Sequence, residues 1–151
     1  MKIHFTKKEY LILVDMLSLS DWMMHSHETD NKHNEYKVLR KKILGYFKEM
    51  GAENRIEYSN KLDNYFETES YDTEIQEKFI DPYDEETFWE ALIDRLGKRD
   101  VINQMGVDAF EKMDWLERAE IISEVCDSYA NEFSQQGLKN LQIRAEETIV
   151  N

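Results

Sequence analysis

All four histidines of this chain fall within its first 33 residues, at His4, His25, His27 and His33. On a helix continued through this stretch, Asp21, His25 and Glu28 stand at i, i+4 and i+7, on one face. Imidazole and carboxylate together suit zinc, iron, nickel or manganese. His27 or His33, from the polar stretch that follows, would raise the set to three or four ligands. A metal-bound water at such a site could carry out hydrolysis. This is the reading of the chain as a metal-binding protein or metal-dependent hydrolase. Against it stands a polar helix end running into a solvated loop. The sequence has no HExxH, no paired cysteines and no second histidine cluster. The loop reading is therefore favoured, and no cofactor is expected.

The other reactive residue types are similarly placed. Arg95 and Arg99, four residues apart, form a basic cluster in an acidic region and could clamp a carboxylate or phosphate. Arginines in such surroundings more commonly make ion pairs within the fold, and that role is expected here. Asp81, Asp84, Glu85 and Glu86 could attract calcium, but the run lacks the alternating ligands and central glycine of an EF-hand. Carboxylates are expected in the first turn of a helix in any case. Cys126 sits on an apolar helical seam, a setting for an inert thiol. No serine lies in a G-x-S-x-G context, and there is no P-loop or G-x-G-x-x-G. Trp22, Trp89 and Trp115 each sit on an apolar helix face and are assigned to the core; an exposed Trp89 or Tyr83 would instead mark a partner surface.

These residues must be positioned by long helices, because the 151 residues include only five Gly and one Pro. The pattern turns on Tyr10–Met24, where eleven of fifteen residues are apolar. A helix apolar nearly all round is normally buried, so this one is expected at the centre. Asp15 and Asp21 interrupt it, which argues against a membrane span. Thr6 and Glu9 read as a capping box for a helix from Lys7 to about His25. A second helix is expected over Glu35–Met50 with the stripe Tyr36, Leu39, Ile43, Phe47, Met50, closed by Gly51. Residues 52–81 suggest short helical pieces, with extra strand there as the alternative. Pro82 predicts a break, and Asp84 a cap for a helix over Glu85–Gln104. Gly97 inside that helix predicts a close helix contact or a kink. After a short helical turn at Asp108–Met113, Asp114 caps the last long helix. Its seam is Trp115, Ala119, Ile122, Cys126, Tyr129, Phe133, and Gly137 ends it. Ile3–Phe5 and residues 140–143 alternate polar and apolar, and are predicted to pair as a two-stranded ribbon joining the termini.

The expected fold is a single domain over residues 1–151, mainly α, an irregular helical bundle around the N-terminal helix. The runner-up is α+β. Three Trp, eight Tyr and seven Phe supply a core and argue against disorder. The single cysteine and the lack of a signal-peptide cleavage pattern point to the cytoplasm.

Charge narrows the partners. Residues 1–50 carry nine Lys/Arg against seven Asp/Glu, and residues 51–151 carry ten against twenty-five, summing +2 and −15 to the net −13. Such a surface repels phosphate backbones and disfavours nucleic acid. A basic protein partner suits it, as does a bare role in solubility.

The segments KIHFTKKEYLILVDML, DWMMHSHETD, YDEETFWEALIDRLGKRD and MDWLERAEII resemble a family of small acidic bacterial proteins of unassigned function. The resemblance spans most of the chain and rests on helix faces and caps. It implies a compact bacterial cytosolic protein and transfers no activity, ligand or active residue. The expected function is thus a non-catalytic protein-interaction or regulatory module, with the histidine-region metal site as the alternative and a self-associating structural domain as a third reading.

Overall fold

The computed structural model of the protein describes residues 2–27 and 34–142. The fold is mainly α. In chain order it runs α1 (Lys7–His25), α2 (Asn34–Leu44), α3 (Phe47–Met50), β1 (Ile56–Ser59), β2 (Asn64–Glu67) and α4 (Glu69–Ile75). A π-helical turn, Gln76–Ile80, leads into α5 (Asp81–Met105), followed by α6 (Val107–Lys112) and α7 (Trp115–Gln136). The chain divides into two compact units, Met1–Asp84 and Glu85–Asn151.

In the first unit α1 begins as its sequence requires. The Thr6 hydroxyl accepts from Glu9 N at 3.2 Å, and Thr6 N donates back to the Glu9 carboxylate at 2.8 Å. Tyr10 and Val14, one turn apart, enter a core with Leu44, Phe47, Ala52, Ile56, Tyr71, Ile75 and Ile80. Full burial of residues such as Val14 and Leu44 stabilises the unit by about 2 kcal/mol each. The expectation that α1 is buried all round is corrected, however. Ile12, Met16 and Met23 fall on one stripe that faces solvent, Met16 with 62% of its surface exposed. The helix is amphipathic in use although its composition hides it.

The second predicted helix is two. Gly45 and Tyr46 form a turn between α2 and α3, which lets Leu44 and Phe47 both reach the core. The anticipated stripe shifts accordingly: Tyr36 and Leu39 are exposed, while Leu44, outside that stripe, is fully buried. Gly51 ends α3 at φ +75°, the left-handed geometry that its lack of a Cβ permits.

Residues 52–81 contain the strand that the alternative reading allowed. β1 and β2 pair antiparallel in the register Ile56↔Glu67 to Ser59↔Asn64. Asp63 closes the hairpin at φ +46°, and its carboxylate receives both Tyr58 Oη at 2.6 Å and Lys41 Nζ at 2.9 Å. This is the sheet of the described residues. The predicted terminal ribbon is corrected: residues 3–5 and 141–142 belong to no strand, and Ile143 lies outside the described residues.

Pro82 does not break the chain's helix. Proline has no N–H, and in an α-helix its ring would press on the carbonyl four residues earlier. The π turn before it widens the ladder, with Asp81 N–H bonded back to Gln76 O, and α5 continues through Pro82. Asp84 consequently lies inside α5 and caps nothing.

In the second unit Leu96, Gly97 and Val101 of α5 are buried together with Phe110 of α6 and Phe133 of α7. Of the close contact or kink that its sequence position predicts, Gly97 marks the contact: a Cβ there would lie 2.5 Å from Cys126 Sγ. Gly106, at φ +85°, separates α5 from α6. Asp114 caps α7 by accepting from Leu116 N and Glu117 N, and Gly137 closes it.

Candidate functional site

Asp15, Ser18 and Asp21 of α1 are drawn into two ion-pair clusters. Arg40 of α2 pairs with Glu67 of β2, whose carboxylate also accepts from Ser18 Oγ at 2.7 Å. The Arg40 Nε lies 3.8 Å from Asp21. Burial raises the Glu67 carboxyl, but the Arg40 guanidinium and the Ser18 hydroxyl outweigh it and hold the group below its usual range. In the second cluster Asp15 binds Arg55 and accepts from Tyr71 Oη at 2.6 Å. Arg55 also donates to Leu11 O at 3.1 Å and stacks 5.0 Å over the Tyr71 ring. Burial first, and then the Asp15 carboxylate, push the Tyr71 hydroxyl upward. Half-buried carboxylates are stabilised by such partners, so the clusters fix α1 against the hairpin and α4.

The candidate metal ligands fall at the edge of this network. Asp21 and His25 come together, with His25 Nδ1 3.0 Å from the carboxylate. Arg40 on the other side of Asp21 places a cation where a metal would need the carboxylate's charge. His27 is exposed in the turn after α1, and Glu28 and His33 lie outside the described residues. No three candidate ligands converge among the described residues. Arg95 is exposed. Arg99 donates to Asp100 at 2.7 Å and to Tyr129 Oη at 3.2 Å, so its guanidinium is engaged within the unit. Burial, then Asp94 and Asp127, raise the Cys126 thiol above its ordinary value, against any nucleophilic role.

The aromatic residues divide differently from their expected seam. Trp89 is half-buried, its indole N–H donating to Glu85 at 2.6 Å and its ring 5.5 Å from Phe133. Tyr83 is exposed and meets Trp22 edge-on at 6.4 Å. Trp115 is corrected outright. Assigned to the core, it stands 78% exposed at the first position of α7, beside Leu116 at 51%. Ala119 is exposed as well, so the covered part of the seam runs from half-buried Ile122 to buried Phe133.

Around Trp115 the chain is acidic. Asp108 and Glu111 lie on α6, and Asp114 and Glu117 flank the indole in sequence, against the exposed Lys112 at the end of α6. Arg118 turns inward, its guanidinium 4.8 Å over the Phe110 ring and bonded to Met113 O at 2.8 Å. Val107, at the start of α6, is exposed too. This corner combines an uncovered indole, neighbouring aliphatics and carboxylates whose nearest arginine is occupied. The signal available in the sequence was the position directly after the Asp114 cap, where a helix end can outrun the core beneath it.

Comparison with protein-family models, curated proteins and solved structures gave no match to this chain. No helix of the described residues is long and apolar enough to cross a membrane.

Proposed function

We propose that the protein is a non-catalytic interaction module that engages a basic protein partner through the α6–α7 corner. The observation that carries this reading is Trp115, with more than three-quarters of its surface in water. Indole is among the side chains that contribute most when a partner covers them. The carboxylates around it favour Lys- or Arg-rich partners and raise the encounter rate, since opposite fields steer association. Residues 85–151 carry fifteen Asp/Glu against seven Lys/Arg, a balance of −8 that extends the same field across the unit.

The test compares wild type with Trp115→Ala and with Glu111→Lys/Glu117→Lys as baits, after melting curves establish that all three are folded. Trp115→Ala is expected to lose at least tenfold in affinity for the captured protein, which corresponds to about 1.4 kcal/mol. The charge-reversed bait is expected to lose binding most at low salt, where screening is weakest. A captured protein that holds all three baits equally, or that is itself acidic, refutes the assignment.

A further inference from the structure

The first unit contains an apolar groove that the interaction corner does not use. It has a volume of about 560 Å³ and lies between the N-terminal segment, α1, α2 and α3. Ile3, Phe5, Leu13, Leu39, Ile43 and Met50 form much of its wall. Its size falls in the range of small-molecule sites, roughly 300–1,000 Å³, which are mostly apolar with a few placed polar groups. Ile3 is 67% exposed and Leu39 53%, so the rim leaves substantial apolar surface in water.

The polar groups along the groove point to one ligand class. Lys42 supplies the fixed charge of the lining, alongside His4. Arg40 and Lys41, its neighbours on α2, are held by Glu67 and Asp63, whereas Lys42 enters no ion pair among the described residues. The Tyr10 hydroxyl donates to Ile43 O at 2.9 Å and is already used. Glu9, the first acidic residue of the sequence after the N-terminal segment, is tied to Thr6. Residues 1–50 also carry the positive balance of the chain, +2 against −15 elsewhere. A lysine stem can lie along an apolar wall with its ammonium at the water. An apolar trough with a cation at its rim matches an alkyl chain ending in an anion. A protein partner would need a contact of about 800 Å² a side, more than one trough of this size offers.

We propose that this groove takes the alkyl chain of a free aliphatic carboxylate, of the fatty-acid class, with its head group paired to Lys42. The same chemistry could be presented by an anionic membrane lipid, so the experiment separates the two sources.

Binding is measured by calorimetry with dodecanoate, dodecylamine and dodecanol, each kept below its aggregation limit, and by co-sedimentation with phosphatidylglycerol vesicles. Dodecanoate is expected to bind with a 1:1 stoichiometry and at least tenfold more tightly than dodecylamine. Lys42→Glu should reduce dodecanoate affinity about tenfold and leave dodecanol unchanged. Leu39→Glu, at an exposed position of the wall where folding is not at stake, should weaken all three ligands, dodecanoate most, and unchanged dodecanoate binding in this variant overturns the proposal. The proposal is overturned if dodecanoate does not bind, if amine and acid bind alike, or if Lys42→Glu has no effect. Binding to vesicles alone, without uptake of free dodecanoate, overturns it in favour of a membrane surface.

Discussion

Glu67 keeps its charge in a place where burial opposes it, because Arg40 and Ser18 both bind its carboxylate. Removing the cation alone leaves that charge uncompensated, so Arg40→Met should cost about 3 kcal/mol in urea denaturation. Pairing it with Glu67→Gln should recover much of the loss, and no recovery would mean that Arg40 acts by packing. The lowered carboxyl also sets a pH dependence. The unfolded chain binds the Glu67 proton more readily than the fold does, so the stability this group contributes is present above the usual 4.5 and is lost as pH falls through the lower folded value. Glu67→Gln should flatten the acid limb of a stability–pH curve. At the other end, burial and then Tyr65 push the Tyr10 hydroxyl up to about 12. The neutral phenol is what the fold accommodates, so its contribution is present below about pH 10 and disappears as pH rises toward 12. Ultraviolet titration of Tyr10→Phe should lack one late-ionising tyrosine.

At the scale of elements, the contact between α5 and α7 turns on a missing Cβ. In an exposed helix Gly→Ala gains about 1 kcal/mol. At Gly97 the new methyl would meet Cys126 Sγ at 2.5 Å, and the overpacking should reverse the sign, costing about 1–3 kcal/mol. Gly97→Ala combined with Cys126→Ala should be restored to near wild-type stability in thermal melts. If the single and double variants melt together, the contact is not limiting. Helix boundaries elsewhere and in α7 were legible from caps and glycines: Thr6, Gly51, Asp114 and Gly137 all act where their chemistry suggested. Pro82 misled because local propensity treats proline as a stop, whereas a π turn ending two residues earlier supplies the room it needs. The hairpin was legible only as the alternative reading of residues 52–81, because β1 and β2 are four residues each, too short for a two-residue period to stand out.

For the whole molecule the dominant quantity is charge, −13 over 151 residues. Self-repulsion at that level destabilises a compact fold, and salt screens it over about 10 Å at 0.1 M. The melting temperature should therefore rise with sodium chloride, while complexes made through Trp115 should weaken over the same range. A melting temperature that falls with salt would show that the specific pairs, Arg40–Glu67 and Arg55–Asp15, outweigh the general repulsion.

Composition, periodicity and caps were enough for a mainly α fold, the start and end of α1 and the acidic balance of the chain, because these depend on composition and on neighbours a few residues apart. Gly97 signalled a close contact or a kink, and the fold supplied Cys126 as the neighbour. Tertiary structure alone decided which side of α1 meets solvent, that Asp15 and Asp21 find Arg55 and Arg40, and that Trp115 lies beyond the edge of the core. Those outcomes depend on residues up to dozens of positions away. An apolar side chain on a helix face carries the same pattern whether a partner element covers it or water does.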